Sequence, residues 1–348
     1  MIKFTNILYQ EDLKFTSSYF DENLISGKTF LITGATGLIG SFIADTLVYY
    51  NRNHAVKCDI YCMGRSLVRL NERFGYCNSN DNLNFLEHDI SKPLDFSVNF
   101  DYIIHAASNA DPVTFALYPV ETITSNVSGT INLFEYMRKS INSKMVFVST
   151  REVYGLVNDA FAYKEADYGL VDFNSLRACY PESKRTAELL CKGYVEQYNM
   201  SCSITRLGYV YGSSMRSDDS RAVTQFMQKA LLGHDIVLKS PGLQKRSYSY
   251  VADAVTGILT VLFRGKNGET YNVSDINSVI SIKDMAEMIS ELAETRVVSG
   301  ESNELEKQGS SSPQDSILDD SKLKQLGWSA KYNIKLGIRR MFNILSEQ

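Results

Sequence analysis

The chain has 348 residues, 44% hydrophobic and 22% charged, with 6 Pro and 21 Gly, which lies inside the globular range and outside the disordered and collagenous ranges. At roughly 150 residues per domain the length predicts about two domains. Thirty-six Lys and Arg against 40 Asp and Glu leave a net charge of −4, so no overall positive field exists to attract nucleic acid, and no apolar run approaches the roughly 18 residues of a membrane span.

The first 15 residues carry acids and amides where a secretory signal needs an apolar segment, so a cytoplasmic location is expected. Within 1–26, Leu8, Leu13 and Phe20 predict a helix or arm laid against the core. A β-rich run at 29–33 leads into a glycine turn and an apolar-periodic helix over 41–50. Further strands are predicted at 58–63, 83–87, 102–106, 145–149 and 203–207, with helices between most of them. Such alternation implies right-handed βαβ crossovers and a parallel sheet covered on both faces. The expected fold is therefore α/β, a doubly wound Rossmann sheet with a smaller mixed α/β substrate-binding lobe. The sheet domain is expected over 1–212, with 244–264 returning to it, and the lobe mainly over 213–348. In the lobe the pattern predicts helices over 221–232, from near Val251, over 282–293 with Ser281 as its cap, and along the stripe Ile334, Ile338, Met341, Phe342 and Leu345. The polar stretch 299–316 reads as an exposed loop. Six cysteines without a CxxC pair and four scattered histidines give no metal-type spacing, and Cys58 and Cys62 share one strand face as packing residues.

Between the first strand and helix lies Gly34-Ala35-Thr36-Gly37-Leu38-Ile39-Gly40. Its glycines allow a tight turn and close approach to a pyrophosphate, and the helix N-terminus offers unpaired N–H groups to the negative charge. A dinucleotide site there is expected to use Gly34, Thr36, Gly37, Leu38, Ile39 and Gly40. The second strand ends Cys62-Met63-Gly64-Arg65-Ser66, with no carboxylate to accept ribose hydroxyls, since Asp59 lies near its beginning. Arg65 as a 2′-phosphate partner favours NADP over NAD; the alternative is a solvated surface arginine. Asp89 and Ile90 follow the third strand, where Asp89 could bond the adenine amine. Ala106, Ala107 and Ser108 end the fourth strand, where small residues let a cofactor pass.

Three motifs together resemble the extended short-chain dehydrogenase/reductase family, in its nucleotide-sugar epimerase and dehydratase branch. They are the glycine turn, the run Ser149-Thr150-Arg151-Glu152-Val153-Tyr154-Gly155, and Tyr180-Pro181-Glu182-Ser183-Lys184, the YxxxK element. The run from Arg177 to Arg185 is similar to UDP-glucuronate decarboxylases. The resemblance implies that Thr150 holds the reacting hydroxyl, Tyr180 moves its proton, and Lys184 polarises Tyr180 and bonds the nicotinamide ribose. A free tyrosine titrates near 10, so action as a base at neutral pH needs a fall of roughly three units, about 4 kcal/mol. Lys184, one helical turn from Tyr180, is the expected source of that stabilisation. Pro181 belongs in a first helical turn, which puts Tyr180 at the helix entrance. Glu152 matches an acid/base carboxylate, and Arg221 and Arg246 match arginines that clamp a substrate diphosphate.

Two positions depart from the family. Arg151 stands where 4,6-dehydratases carry Asp and decarboxylases Ser, and Tyr209 replaces an Asn that contacts the nucleotide sugar, so both are expected to face substrate. The expected enzyme oxidises and re-reduces a nucleotide-linked sugar through a keto intermediate, giving epimerisation, dehydration or decarboxylation. The alternatives are a net NADPH-dependent reductase and a catalytically silent cofactor-binding protein. The resemblance also implies a homodimer formed by 126–139 and 181–197.

Overall fold

The computed structural model describes residues 4–139, 142–157, 161–216, 218–302 and 314–347. An N-terminal arm of α1 (Ile7–Ser17) and α2 (Glu22–Ile25) precedes β1 (Thr29–Thr33), whose Phe30, Leu31 and Ile32 are fully buried as a central parallel strand requires. Then follow α3 (Leu38–Asn53), β2 (Asp59–Gly64), α4 (Leu67–Phe74), β3 (Leu83–Glu87), β4 (Tyr102–His105), α5 (Pro112–Leu117), α6 (Pro119–Met137), β5 (Lys144–Thr150), α7 (Cys179–Tyr198) and β6 (Ser201–Leu207). These alternate as the apolar pattern predicts, and the bounds of β1 and β3 coincide with the predicted ones. Cys58 and Cys62 are both buried in the core under this sheet, and burial pushes the Cys58 thiol up to about 12.

The remaining elements are β7 (Tyr209–Tyr211), α8 (Ala222–Leu231), β8 (Ile236–Leu238), β9 (Lys245–Tyr250), α9 (Val251–Arg264), β10 (Thr270–Val273), β11 (Val279–Ser281), α10 (Ile282–Leu292), β12 (Val297–Ser299) and a C-terminal helix Ile334–Ser346. The main sheet has seven strands in the order β3-β2-β1-β4-β5-β6-β10, every pair parallel. This is the doubly wound Rossmann architecture, with the chain reversing direction between β1 and β4. The edge strand β10 is not resolved by pattern alone, because its Thr-Tyr-Asn-Val carries a polar residue whose burial depends on tertiary partners: Asn272 accepts from the Tyr154 hydroxyl at 2.6 Å.

Two small sheets complete the fold, β7-β9-β11 and β8-β12. The Ser281 hydroxyl caps α10 by accepting from the Asp284 N–H at 3.0 Å, as its position predicts. The stretch expected as an exposed loop departs from that reading at both ends. Ser299 closes β12, Ser316 is buried and bridges to Arg246, and 303–313 lie outside the described residues. Among the described residues no helix is long and apolar enough to cross a membrane.

Candidate active site

The strand ends of β1, β2, β3 and β4 open onto a cleft of about 760 Å³. Gly34 crosses the end of β4 so closely that a Cβ would stand 2.8 Å from the Ala106 oxygen and the Ala107 Cα, and its φ of +68° is itself a glycine conformation. A Cβ on Gly40 would meet the Gly34 oxygen at 2.5 Å, so α3 begins hard against the turn. Its N-cap is Gly37, with no side chain capping the first turn. The exposed N–H groups and the space kept free of side chains fit a dinucleotide pyrophosphate. Every residue expected in the turn lines the cleft, as do Arg65, Asp89, Ile90, Ala106, Ala107, Ser108 and Arg221. Burial raises the Asp89 carboxyl, but hydrogen bonds from Ser91 and the nearby Arg65 outweigh it and hold the group below its ordinary range. Arg69, in the first turn of α4, lines the same wall.

The floor is held by a chain of hydrogen bonds. The Ala107 N–H donates to the Thr33 hydroxyl at 3.0 Å, Thr33 lies 2.9 Å from His105 Nδ1, and His105 Nε2 lies 3.3 Å from Thr130. Burial, with the Lys184 charge, takes His105 down to about 3, so the ring is neutral and serves this floor. Asn126 then joins the cleft to α7, accepting from the Ser108 hydroxyl at 2.8 Å and donating to Ser183 at 2.9 Å.

Beside the cleft, α7 begins at Cys179, so Tyr180 does sit at the helix entrance with Pro181 in the first turn. Tyr180 is 7% exposed, with the Thr150 side chain close enough to its hydroxyl to lower the phenol. Burial and the Glu152 carboxylate push its phenol up to about 12, against the lowering influence of Thr150, Arg177 and Arg221. The hydrogen bond that Lys184 makes is to the backbone of β5. Lys184 Nζ donates to the Val148 carbonyl at 2.9 Å and lies 4.6 Å over the Phe147 ring. A buried amine needs an acceptor, and the end of β5 supplies one. Burial pulls this amine down to about 8, with Cys191 and Glu188 acting the other way. Asp111, Thr114 and Tyr118 around α5 line the cleft, while Phe115 of the same helix packs on Tyr180.

Glu152 accepts from Arg177 Nη2 at 2.9 and 2.7 Å, and Arg151 approaches it at 3.8 Å. Arg151 and Arg246 each lie over the Tyr209 ring, at 4.1 and 4.3 Å, so the two departures from the family pattern meet in one stack. Burial and the Arg151 charge take Arg246 down to about 10. Arg221 pairs with Asp219 at 2.5 Å. Under the site, Glu188 accepts from Ser149 at 2.5 Å and from Arg206 Nη2 at 2.7 Å. Thr150, Arg151 and Glu152 at the end of β5 thus gather Tyr180, Tyr209 and Arg246 around them. Sequence reasoning assigned nothing to Arg69, Asp111, Phe115 or Arg177. Asp111-Pro112 is a helix-start signal that could have placed α5, and Asp111 does cap it through Val113 and Thr114 at 3.1 Å.

Residues 30–274 match the model of the NAD dependent epimerase/dehydratase family. The chain is 31% identical over 330 residues to UDP-glucuronic acid decarboxylase 6 of Arabidopsis thaliana, covering 93% of this chain and 90% of that one. It is 32% identical over 316 residues to decarboxylase 3 of the same plant, covering 89% and 87%. Among solved structures, UDP-glucuronic acid 4-epimerase from Bacillus cereus, in complex with UDP-glucuronic acid and NAD, superposes with a TM-score of 0.75 at 21% identity, covering 92% of this chain and 99% of that one. UDP-N-acetylglucosamine 4-epimerase from Methanobrevibacter ruminantium gives 0.78 at 20% identity, covering 93% and 99%.

Proposed function

The chain belongs to the NAD-dependent epimerase/dehydratase family, and from that premise we propose that it oxidises a sugar hydroxyl of a UDP-sugar to a ketone and carries the rearrangement that the ketone permits. One observation carries the reading: the Tyr180 phenol at the start of α7 feels Thr150 at the end of β5 together with the Glu152–Arg177 pair, beside the glycine-built cleft. The turn 34–40 and the strand end 106–108 would hold the dinucleotide, which would supply the acceptor and donor of a hydride for the sugar carbon. Thr150 and Tyr180 hold the sugar hydroxyl between them, and Tyr180 takes its proton. A phenol near 12 is a poor base at neutral pH, so the positive charge of an oxidised nicotinamide is needed beside it. Lys184 fixes the end of β5 through Val148 and bonds the cofactor ribose. Glu152, oriented by Arg177, exchanges a proton next to the ketone. Arg221 and Arg246 hold the diphosphate, and Arg151 and Tyr209 face the sugar.

NADP in preference to NAD is part of the reading, supported by Arg65, Ser66 and Arg69 at the end of β2. So are a cofactor-binding unit of 1–212 with 244–264, a substrate lobe of 213–348, and a homodimer through α6 and α7, whose Ile123 and Leu189 are 43% and 69% exposed. Six free thiols fit a reducing cytoplasmic compartment. A second reading, net reduction of a keto sugar by dissociable NADPH, is favoured by the same arginines. To test both, denature the purified protein, identify any released nucleotide, and incubate native protein with UDP-, dTDP-, GDP- and CDP-sugars. Co-purifying oxidised cofactor with a UDP-sugar product of unchanged mass, or one lighter by water or carbon dioxide, supports the first. An empty protein that consumes NADPH with a keto sugar supports the second. No turnover with any UDP-sugar overturns the first reading.

A further inference from the structure

Tyr180 has to reach the sugar, yet one face of its ring is already covered. Phe115 stacks on it with centroids 4.5 Å apart and 18° between the planes, so no third group fits between the two rings. Phe115 is itself 2% exposed and forms a small separate cluster with Cys179 and Tyr180. The Arg177 guanidinium lies 4.7 Å over the same ring while binding Glu152. We propose that Phe115 is a cover which a nucleotide sugar lifts from Tyr180, making α5 the gate of the sugar site. This rests on the function proposed above.

The local architecture suits a moving part. A helix of six residues has little stability of its own, so the position of α5 depends on where it docks. At its C-terminus Tyr118 leaves helical geometry, with φ −134° and ψ 59°, and Pro119 begins α6. A residue before proline is disfavoured in the helical region, so α5 and α6 are separate helices and α5 is not held in place by continuing into its neighbour. At its N-terminus Asp111 caps α5 with one carboxylate oxygen and with the other accepts from the Ser220 N–H at 2.9 Å and its hydroxyl at 2.6 Å. Ser220 adjoins Arg221, so a diphosphate seated on Arg221 pulls on the segment that holds α5. Movement of Phe115 also frees Arg177 on its ring side, which joins the gate to Glu152.

If the covered form predominates without substrate, the apparent affinity is reduced by the fraction of open molecules, and removing the cover restores it. The test is isothermal titration of UDP-glucuronate into wild-type protein, Phe115→Ala and Phe115→Leu, each with its cofactor, after circular dichroism has confirmed the fold. Phe115→Ala is expected to bind roughly fivefold tighter or better, with Phe115→Leu between it and wild type. Should the alanine variant fail to fold, the leucine variant alone decides by the same direction. Equal or weaker binding by the variants, with wild-type binding intact, overturns the gate and makes Phe115 a fixed wall of the site. If neither wild type nor variants bind UDP-glucuronate, the titration is repeated with the UDP-sugar that the turnover panel identifies, and failure with every UDP-sugar overturns the UDP-sugar reading and the gate with it.

Discussion

The glycine-built cleft and the proposed sugar site lie side by side but are built on opposite principles. The cleft is made largely of backbone: Gly34, Gly37 and Gly40 keep side chains away, and the N–H groups at the start of α3 stay available because no side chain caps them. It can stand open because those groups face solvent. The sugar site is made of side chains, and in the structure each of them already has a partner: Tyr180 has Thr150 and Phe115, Lys184 has Val148, Glu152 has Arg177, and Arg151 has Tyr209. Buried polar groups are costly to leave unpaired, so a site assembled from them pairs its own members. A ligand enters the first by filling space and the second by exchanging partners.

The sharpest way to break the second region without touching the first is Glu188→Ala. It strands Arg206 and removes the acceptor of Ser149, and loss of one partner from a buried pair costs about 3–5 kcal/mol. Urea unfolding should show that loss, whereas a change below about 1 kcal/mol would mean that the pair is solvated. Next comes Lys184. Its folded amine is depressed to about 8 from 10.5, so the penalty for keeping it charged is fully present below pH 8 and is relieved as pH rises to 10.5. Wild type should therefore gain up to about 3 kcal/mol relative to Lys184→Met over that window, read as the difference of two unfolding curves. An unchanged difference between pH 7.5 and 10 would remove the burial effect. Tyr180→Phe should lower kcat at least about a hundredfold, near 2.7 kcal/mol, and leave cofactor affinity almost unchanged. Near-normal turnover would refute its assigned role.

The same division explains what could be read from the residues alone. Hydrophobic alternation and glycine spacing are local, so β1 and β3, the start of α9 at Val251 and the cleft-lining turn are visible in the chain. The YxxxK spacing brings Tyr180 and Lys184 to one helix but cannot say that Lys184 turns to the Val148 carbonyl, since that acceptor comes from β5. The cover on Tyr180 was equally hidden: Phe115 lies 65 positions earlier in the chain, and only the packing of α5 against α7 brings the rings together. The seventh strand escaped for a related reason, because Asn272 suits a core strand only when Tyr154 is there to bond it.

The smallest expected effect sharpens the first region. Arg65 is exposed at the rim, next to Ser66, whose hydroxyl caps α4, and it lies near enough to Asp89 to lower that carboxyl. An exposed guanidinium contributes little to a neutral ribose, but a 2′-phosphate offers a doubly charged partner, two of whose oxygens the planar guanidinium can bind together. Solvent screening at the rim limits the gain to about 1 kcal/mol, a few-fold in affinity. Arg65→Ala should therefore raise the Michaelis constant for NADP a few-fold while leaving that for NAD nearly unchanged, and Arg65→Lys should recover part of the loss. Arg69, in the first turn of α4, stands on the same wall and would buffer the single substitution, so the double variant with Arg69→Ala should widen the gap between the two cofactors. Equal effects on both cofactors, in the single and the double variant alike, would leave the absence of a carboxylate at the end of β2 without a phosphate to explain it.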